Sequence, residues 1–176
     1  SGLFDGIAAL LTGATNVVAR ILHSVPAPAL IVIIAALAWV LRRSLGLVVF
    51  VILSLLFIMN QGYWDATLET LTLVLVAAIV ATFIGVPMGI WGAKRPQVYA
   101  GMRPVLDLMQ TLPTFVYLTP TLVLFGLGIV PGLISTIIFA LPAPIRLTQL
   151  GISAVPKTLR EAGLAFGATP LQLLFK

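Results

Sequence analysis

The run from residue 66 to residue 92 constrains the fold most, because among its 27 residues only Glu69 is charged. As a helix it would be about 40 Å long, whereas about 20 residues are enough to cross the hydrocarbon core of a bilayer. Within lipid a backbone must satisfy its own hydrogen bonds, which a helix does. This run therefore predicts a membrane-spanning helix.

Composition supports lipid rather than water as the surroundings of that helix. Of the 176 residues, 60% are hydrophobic and 9% are charged, whereas about 25% of the residues of a soluble domain are charged. We therefore expect an all-α polytopic membrane protein. The sequence contains no Cys and a single histidine, His23, so we expect no metal site and no catalytic histidine.

Four further apolar runs complete a set of five predicted membrane helices, at about 27–41, 45–59, 104–128 and 132–150. Arg42-Arg43-Ser44 separates the first two, and Pro131-Gly132 predicts a tight turn between the last two. Residues 3–22 place apolar side chains on one face of a helix. That pattern favours an amphipathic helix on the membrane surface, and a weakly hydrophobic span is the alternative.

The basic residues predict the orientation in the membrane. If the Arg42-Arg43 turn is cytoplasmic, alternation puts nine of the ten Lys and Arg residues on the cytoplasmic side. The loop at 60–67, which contains Tyr63 and Trp64, is then external. The net charge of +5 follows from basic cytoplasmic loops, and we expect no nucleic-acid partner.

Glycines, charges and prolines predict contacts inside the membrane. The small residues of "GVPMG" (85–89) allow a neighbouring helix to approach closely. Asp107 follows Arg103 by four residues, the spacing of an ion pair on one helix.

The prolines in "TLPTFVYLTP" (111–120) should bend their helix. Two interpretations of this bend stay open. It can serve only the packing of a kinked helix, or it can border a translocation path lined by Phe115, Tyr117 and Thr119.

The stretch "TLREAGLAFGATP" (158–170) predicts two short cytoplasmic helices. Thr158 and Glu161 have the spacing of a capping box at the start of the first helix. Gly167 can end that helix in the left-handed conformation. Thr169 can then cap a second helix, with Pro170 at its first position.

Glu161-Ala162-Gly163, followed after three residues by Gly167, resembles the E-A-A-x-x-x-G signature of ABC importer permeases. In that family the loop forms coupling helices that dock on a cytoplasmic ATPase. Gly163 replaces the usual second alanine, which weakens the local helix by about 1 kcal/mol. "MQTLPTFVYLTP", "LFGLGIVPG" and "IIFALPAPIRLTQLGI" resemble the permease of glycine betaine/proline betaine importers, over most of residues 25–176.

The resemblance implies a type I ABC importer permease-like helical bundle in the bacterial inner membrane, with seven helices of which we expect five here. We expect an N-terminal surface helix (1–24), a transmembrane hairpin (25–62) and a permease core (63–176) that is interrupted within the coupling loop (156–176). The implied partners are a cytoplasmic ABC ATPase, an external or periplasmic substrate-binding protein and a second permease copy. No G-x-x-x-x-G-K-[ST] motif is present, so we expect a subunit that is not an enzyme, with no cofactor of its own and with ATP bound by its partner.

The leading hypothesis is import of glycine betaine, proline betaine or a related quaternary-ammonium solute. Trp91, Phe115 and Tyr117 could attract a trimethylammonium group by cation–π interaction, worth about 0.5–2 kcal/mol per ring. The alternatives are a permease for amino acids or metal chelates, and a channel or other structural membrane protein that does not transport. A membrane-embedded enzyme would need paired carboxylates, or a histidine with a carboxylate, within a span, and we find none.

Overall fold

The computed structural model describes residues 2–169 and 172–175, and the regular structure of these residues is entirely helical. In chain order the helices are α1 (Gly2–Ser24), α2 (Ala27–Arg42), α3 (Leu45–Asn60), α4 (Trp64–Lys94), α5 (Pro96–Thr111), α6 (Thr114–Phe125), α7 (Ile129–Ala140), α8 (Pro142–Ser153), α9 (Lys157–Ala165) and α10 (Gln172–Phe175). They form two compact units. One contains the chain through Val76 and Leu127–Leu133, and the other contains Ala77–Gly126 and the chain from Ile134 onward.

Within the part of the chain that the structure describes, three helical segments are long and apolar enough to cross a membrane, namely Gly2–Ser24, Trp64–Lys94 and Ile129–Ser153. Helices α5 and α6 make a fourth if they are counted as one bent span. Helices α2 and α3 are apolar but have 16 residues each, a length of about 24 Å against the roughly 30 Å of the hydrocarbon core. The prediction of an all-α polytopic membrane protein is confirmed. Because α1 also has the length of a span, its placement on the membrane surface stays a prediction.

The turn between α2 and α3 lies where the basic residues predicted it. Arg43 adopts the left-handed conformation, with φ 45°, and its N–H donates to the Trp39 carbonyl over 2.7 Å. Ser44 then caps α3, because its hydroxyl oxygen accepts from the Leu47 N–H at 3.5 Å. A left-handed residue followed by a serine cap reverses the chain within two residues.

Close packing of α4 against α8 confirms the prediction made from "GVPMG". A Cβ atom added to Gly85 would lie 2.6 Å from Cγ of Pro144. A Cβ atom added to Gly89 would lie 2.6 Å from Cβ of Thr148 and 2.7 Å from the Ile145 carbonyl oxygen. Ile145 itself is fully buried. Only glycine lets the two backbones come this close.

Helix α5 ends at a sharp bend before Pro113, so the run predicted as one span at 104–128 is broken. The axes of α5 and α6 differ by 92°. Leu112 has ψ 135°, the extended conformation that a following proline imposes on its neighbour by steric contact. Helix α5 also begins earlier than predicted, at Pro96, because proline suits the first position of a helix.

The tight turn predicted at Pro131-Gly132 is wrong, because both residues lie in the first turn of α7. The chain turns instead at Gly126 and Gly128, whose φ angles are +76° and +154°. Glycine adopts these angles without steric cost. Proline is tolerated in the first turn of a helix, where its missing N–H would have no partner within the helix.

Candidate functional site

Helix α9 begins two residues earlier than its predicted capping box allows. Its N-cap is Pro156, which makes no side-chain hydrogen bond to the helix. The Pro156 carbonyl accepts from the N–H groups of Leu159 and Arg160, at 3.1 and 3.3 Å. The capping box predicted at Thr158 and Glu161 is therefore wrong, because both residues lie inside the helix. The Glu161 side chain is exposed.

The end of α9 confirms the role predicted for Gly167, whose φ is +82°. The Gly167 N–H donates to the Leu164 carbonyl at 2.9 Å, and the Ala168 N–H donates to the Gly163 carbonyl at 3.0 Å. These two bonds make a Schellman motif, which satisfies carbonyls that the helix end would otherwise leave unpaired. A side chain at Gly167 would be strained in this conformation.

A capping box does occur, one motif further along the chain. The Gln172 N–H donates to the hydroxyl oxygen of Thr169 at 3.3 Å, and the Thr169 N–H donates to the side-chain oxygen of Gln172 at 2.8 Å. The predicted cap of the second helix at Thr169 is confirmed, whereas Pro170 lies outside the described residues. The spacing T-x-x-Q is visible in the sequence, and Gln172 is the residue that sequence reasoning missed.

Gly163 gives α10 room to pack on α9. A Cβ atom added there would lie 2.5 Å from Cδ2 of Leu173. The departure from the alanine of the family signature thus coincides with a contact between the two helices. Ala162, next to it, is exposed. Of the four predicted coupling residues, Glu161 and Ala162 lie on the surface while Gly163 and Gly167 shape the backbone and the packing.

A groove of about 1110 Å³ opens beside this helix pair. Its walls come from the end of α8, from α9, from the glycine turn and from α10, and Lys157 and Arg160 line it. Phe166, at the turn, also lines it and is 93% exposed. The helix pair therefore presents an exposed aromatic side chain and two cations at this groove.

The three predicted path residues do not share one face of α6. Phe115 and Thr119 are one helical turn apart and exposed, and the Thr119 hydroxyl donates to the Phe115 carbonyl at 3.1 Å. Tyr117 lies about 200° around the helix from Phe115. It shares its face with Thr121, which is buried and lies 3.2 Å from the Ser135 hydroxyl oxygen.

Tyr117 instead contacts α5 across the bend. Its hydroxyl donates to the Leu108 carbonyl at 3.2 Å. Leu108 belongs to the last turn of α5, and its carbonyl accepts from the Leu112 N–H at the end of the helix as well as from the Tyr117 hydroxyl. Tyr117 thus helps to hold the 92° angle between α5 and α6, and the assignment of a path to Phe115, Tyr117 and Thr119 stays a prediction.

Asp107 pairs with a residue on another helix. Its carboxylate lies 2.5 Å from Nη2 of Arg146, on α8. The prediction that Asp107 pairs with Arg103 is wrong, because α5 packs against α8 and brings the guanidinium of Arg146 to the carboxylate. Sequence spacing carries no signal for this contact, since the two residues are 39 positions apart.

A comparison with known protein families covers both the apolar helices after residue 82 and the helix pair α9–α10. Residues 82–176 match the family of binding-protein-dependent transport system inner membrane components, and this match covers more than half of the chain. The chain belongs to this family. It is an inner membrane component of a transport system, and its expected location in the membrane is confirmed by the match and by its apolar helices.

Three relatives are similar to this inner membrane component along nearly its whole length. The glycine betaine transport system permease protein OpuAB of Bacillus subtilis is 46% identical over 175 residues, which are 99% of this chain and 62% of the relative. The glycine betaine/proline betaine permease ProW of Escherichia coli is 45% identical, over 99% of this chain and 49% of its own length. The glycine betaine/carnitine permease GbuB of Listeria monocytogenes is 42% identical, over 99% of this chain and 63% of its own length. The chain thus spans about half to two thirds of these relatives.

Proposed function

We propose that this inner membrane component belongs to the permease subunit of an ATP-driven importer for glycine betaine, proline betaine or a related quaternary-ammonium solute. The observation that carries the proposal is the helix pair α9–α10. A Schellman motif and a capping box hold it in one conformation, and Glu161 is exposed on it. The names of the three relatives support the class of solute.

The proposed partners follow from this assignment. A separate cytoplasmic ABC ATPase binds ATP and docks on α9–α10, where Glu161 and the exposed Phe166 offer charge and apolar area. A substrate-binding protein delivers the solute from outside, and a second permease copy completes the pore. The subunit itself carries no catalytic residue and no cofactor, since the chain lacks the phosphate-binding G-x-x-x-x-G-K-[ST] loop.

The exposed aromatic side chains are compatible with a quaternary-ammonium solute. Phe115 on α6 is 75% exposed and Trp91 on α4 is 51% exposed. An aromatic face attracts a cation that has lost its water shell, with about 0.5–2 kcal/mol per ring. Tyr117 contributes less to such a path, because its ring lies on the other face and its hydroxyl holds the bend.

The test is uptake into vesicles that contain the full-length permease with its ATPase and binding protein. We expect ATP-dependent uptake of labelled glycine betaine and none of an amino acid or a metal chelate. Uptake of one of those solutes in place of betaine would select the alternative importer. Vesicles that hold no solute above the ATP-free control would favour the non-transporting membrane protein.

A substitution on α9 tests the docking site separately. We expect Glu161→Lys to abolish the ATPase activity that the loaded binding protein stimulates, because it reverses the charge on the exposed face. The yield of folded permease should stay unchanged, since Glu161 caps no helix. Thr158→Ala, on the same helix, is the control and should keep full activity. Normal stimulation in Glu161→Lys would contradict the proposed docking surface.

A further inference from the structure

The last turn of α5 is joined to two other helices at adjacent residues. Asp107 forms its ion pair with Arg146 of α8. The next residue, Leu108, accepts a hydrogen bond at its carbonyl from the Tyr117 hydroxyl of α6, at 3.2 Å. The same carbonyl accepts from the Leu112 N–H at 3.0 Å, so it remains part of the end of α5. This turn is therefore a junction between α8 and α6.

Helix α8 continues into α9 through a short hydrogen-bonded connection. Ala154 donates its N–H to the Leu150 carbonyl at 2.8 Å, and Pro156 provides the first carbonyl of α9. Three residues separate the end of α8 at Ser153 from the start of α9 at Lys157. A connection this short, bonded at both ends, cannot absorb a large displacement of α9 without moving α8.

We propose that Arg146, Asp107 and Tyr117 are positioning residues that transmit the movement of α9 to α6. The inference rests on the proposed function, since it assumes that an ATPase moves α9. The order of contacts is α9, α8, the Arg146–Asp107 pair, the last turn of α5, the Tyr117 hydroxyl and α6. Helix α6 carries Phe115 and Thr119 on its exposed face, so its movement changes the candidate path.

The ion pair has a second arrangement within reach. Arg146 uses Nη2 toward Asp107, while its Nε is buried and, within residues 2–169 and 172–175, has no hydrogen-bond partner. A carboxylate can accept from Nε and Nη2 of one guanidinium at the same time. A small shift of α5 along α8 would thus replace the single hydrogen bond from Nη2 of Arg146 by two hydrogen bonds, from Nη2 and Nε, to the Asp107 carboxylate. Transmission between distant sites needs such an element with two arrangements that both sites favour differently.

The test measures solute imported per ATP hydrolysed by the full-length permease in vesicles with its ATPase and binding protein. We expect Asp107→Asn and Arg146→Gln each to lower this ratio by about fivefold while stimulated ATP hydrolysis continues. Arg103→Gln is the matched control, because it removes the cation that sequence spacing assigns to Asp107, and it should keep the wild-type ratio. A purely structural role would instead reduce uptake and hydrolysis in proportion, and that result would overturn the proposal.

The hydroxyl of Tyr117 is tested by Tyr117→Phe, which keeps the ring and removes the bond to Leu108. We expect the imported amount per ATP to fall about threefold. Tyr99→Phe on α5 is the control, because the ring of Tyr99 lies beside Gly92 of α4, where an added Cβ atom would be 3.2 Å from Cδ2 of Tyr99. If Tyr117→Phe and Tyr99→Phe import the same amount of solute per ATP, Tyr117 takes no part in the proposed transmission.

An unfolding experiment separates this inference from the proposed function. The solubilised full-length permease is compared with Asp107→Asn, Arg146→Gln and the double variant in a double-mutant cycle, which needs no substrate. We expect the double variant to be more stable than the sum of the single losses predicts, because a lone charge in the membrane domain is costly. Additive losses would overturn the ion pair. If the wild type imports an amino acid or a metal chelate in place of betaine, the proposed substrate is wrong and the ratio is measured with that solute.

Discussion

Replacing Gly89 by alanine tests the closest contact between α4 and α8. The new Cβ would lie 2.6 Å from Cβ of Thr148 and 2.7 Å from the Ile145 carbonyl oxygen, about 0.8 Å short of an ordinary contact of about 3.4 Å. One neighbour is backbone of a fully buried residue, so it cannot simply rotate away. Overpacking of this kind costs about 1–3 kcal/mol, while alanine gains about 1 kcal/mol over glycine in helix propensity.

The matched control is Gly101→Ala in α5, where a new Cβ meets nothing within 4 Å. This variant gains the propensity without the overpacking, so it should be more stable than Gly89→Ala by about 2 kcal/mol. The assay is thermal unfolding of the solubilised full-length permease, in which we expect the midpoints of the two variants to differ by about 5 °C. If Gly89→Ala unfolds at or above the midpoint of Gly101→Ala, the close approach of α4 and α8 is refuted.

Two further predictions concern the second helix cap and the orientation. Thr169→Ala should destabilise the α9–α10 pair by about 1 kcal/mol, whereas Thr158→Ala should not. In the full-length permease, Thr169→Ala should therefore be cleaved faster within this loop than Thr158→Ala. Equal cleavage rates of the two variants would contradict the capping box. Single cysteines at Tyr63 and Lys94 should react with an impermeant reagent from outside and from the cytoplasmic side, respectively. Labelling of position 94 from outside would reverse the orientation.

Features that depend on a few neighbouring residues could be predicted from the sequence. Gly167 ends α9 with φ +82° because a left-handed residue after a helix is a local requirement. The turn after Arg42 lies where charges interrupt two apolar runs. The glycines at 85 and 89 also indicated a close helix contact, although the identity of α8 as the partner needed the tertiary structure.

The contacts that matter most for the candidate site could not be read in this way. Asp107 was assigned to the cation with helical spacing, Arg103, because sequence shows only neighbours along one helix. The structure brings Arg146 to it through the packing of α5 on α8. The residue type of Tyr117 indicates a place beside the path, which stays a prediction, whereas its hydrogen bond to Leu108 follows from the bend before Pro113. Both depend on interhelical angles that no local pattern contains.

The bonded turn between α9 and α10 has a consequence for the energetics of docking. Fixing the backbone of a flexible residue costs about 1–2 kcal/mol of conformational entropy. The turn from Gly163 to Thr169 is already ordered by its own hydrogen bonds before any partner arrives. Docking of the proposed ATPase on this preorganised surface would therefore lose little entropy in the loop. More of the contact free energy would then remain for the proposed displacement of α8.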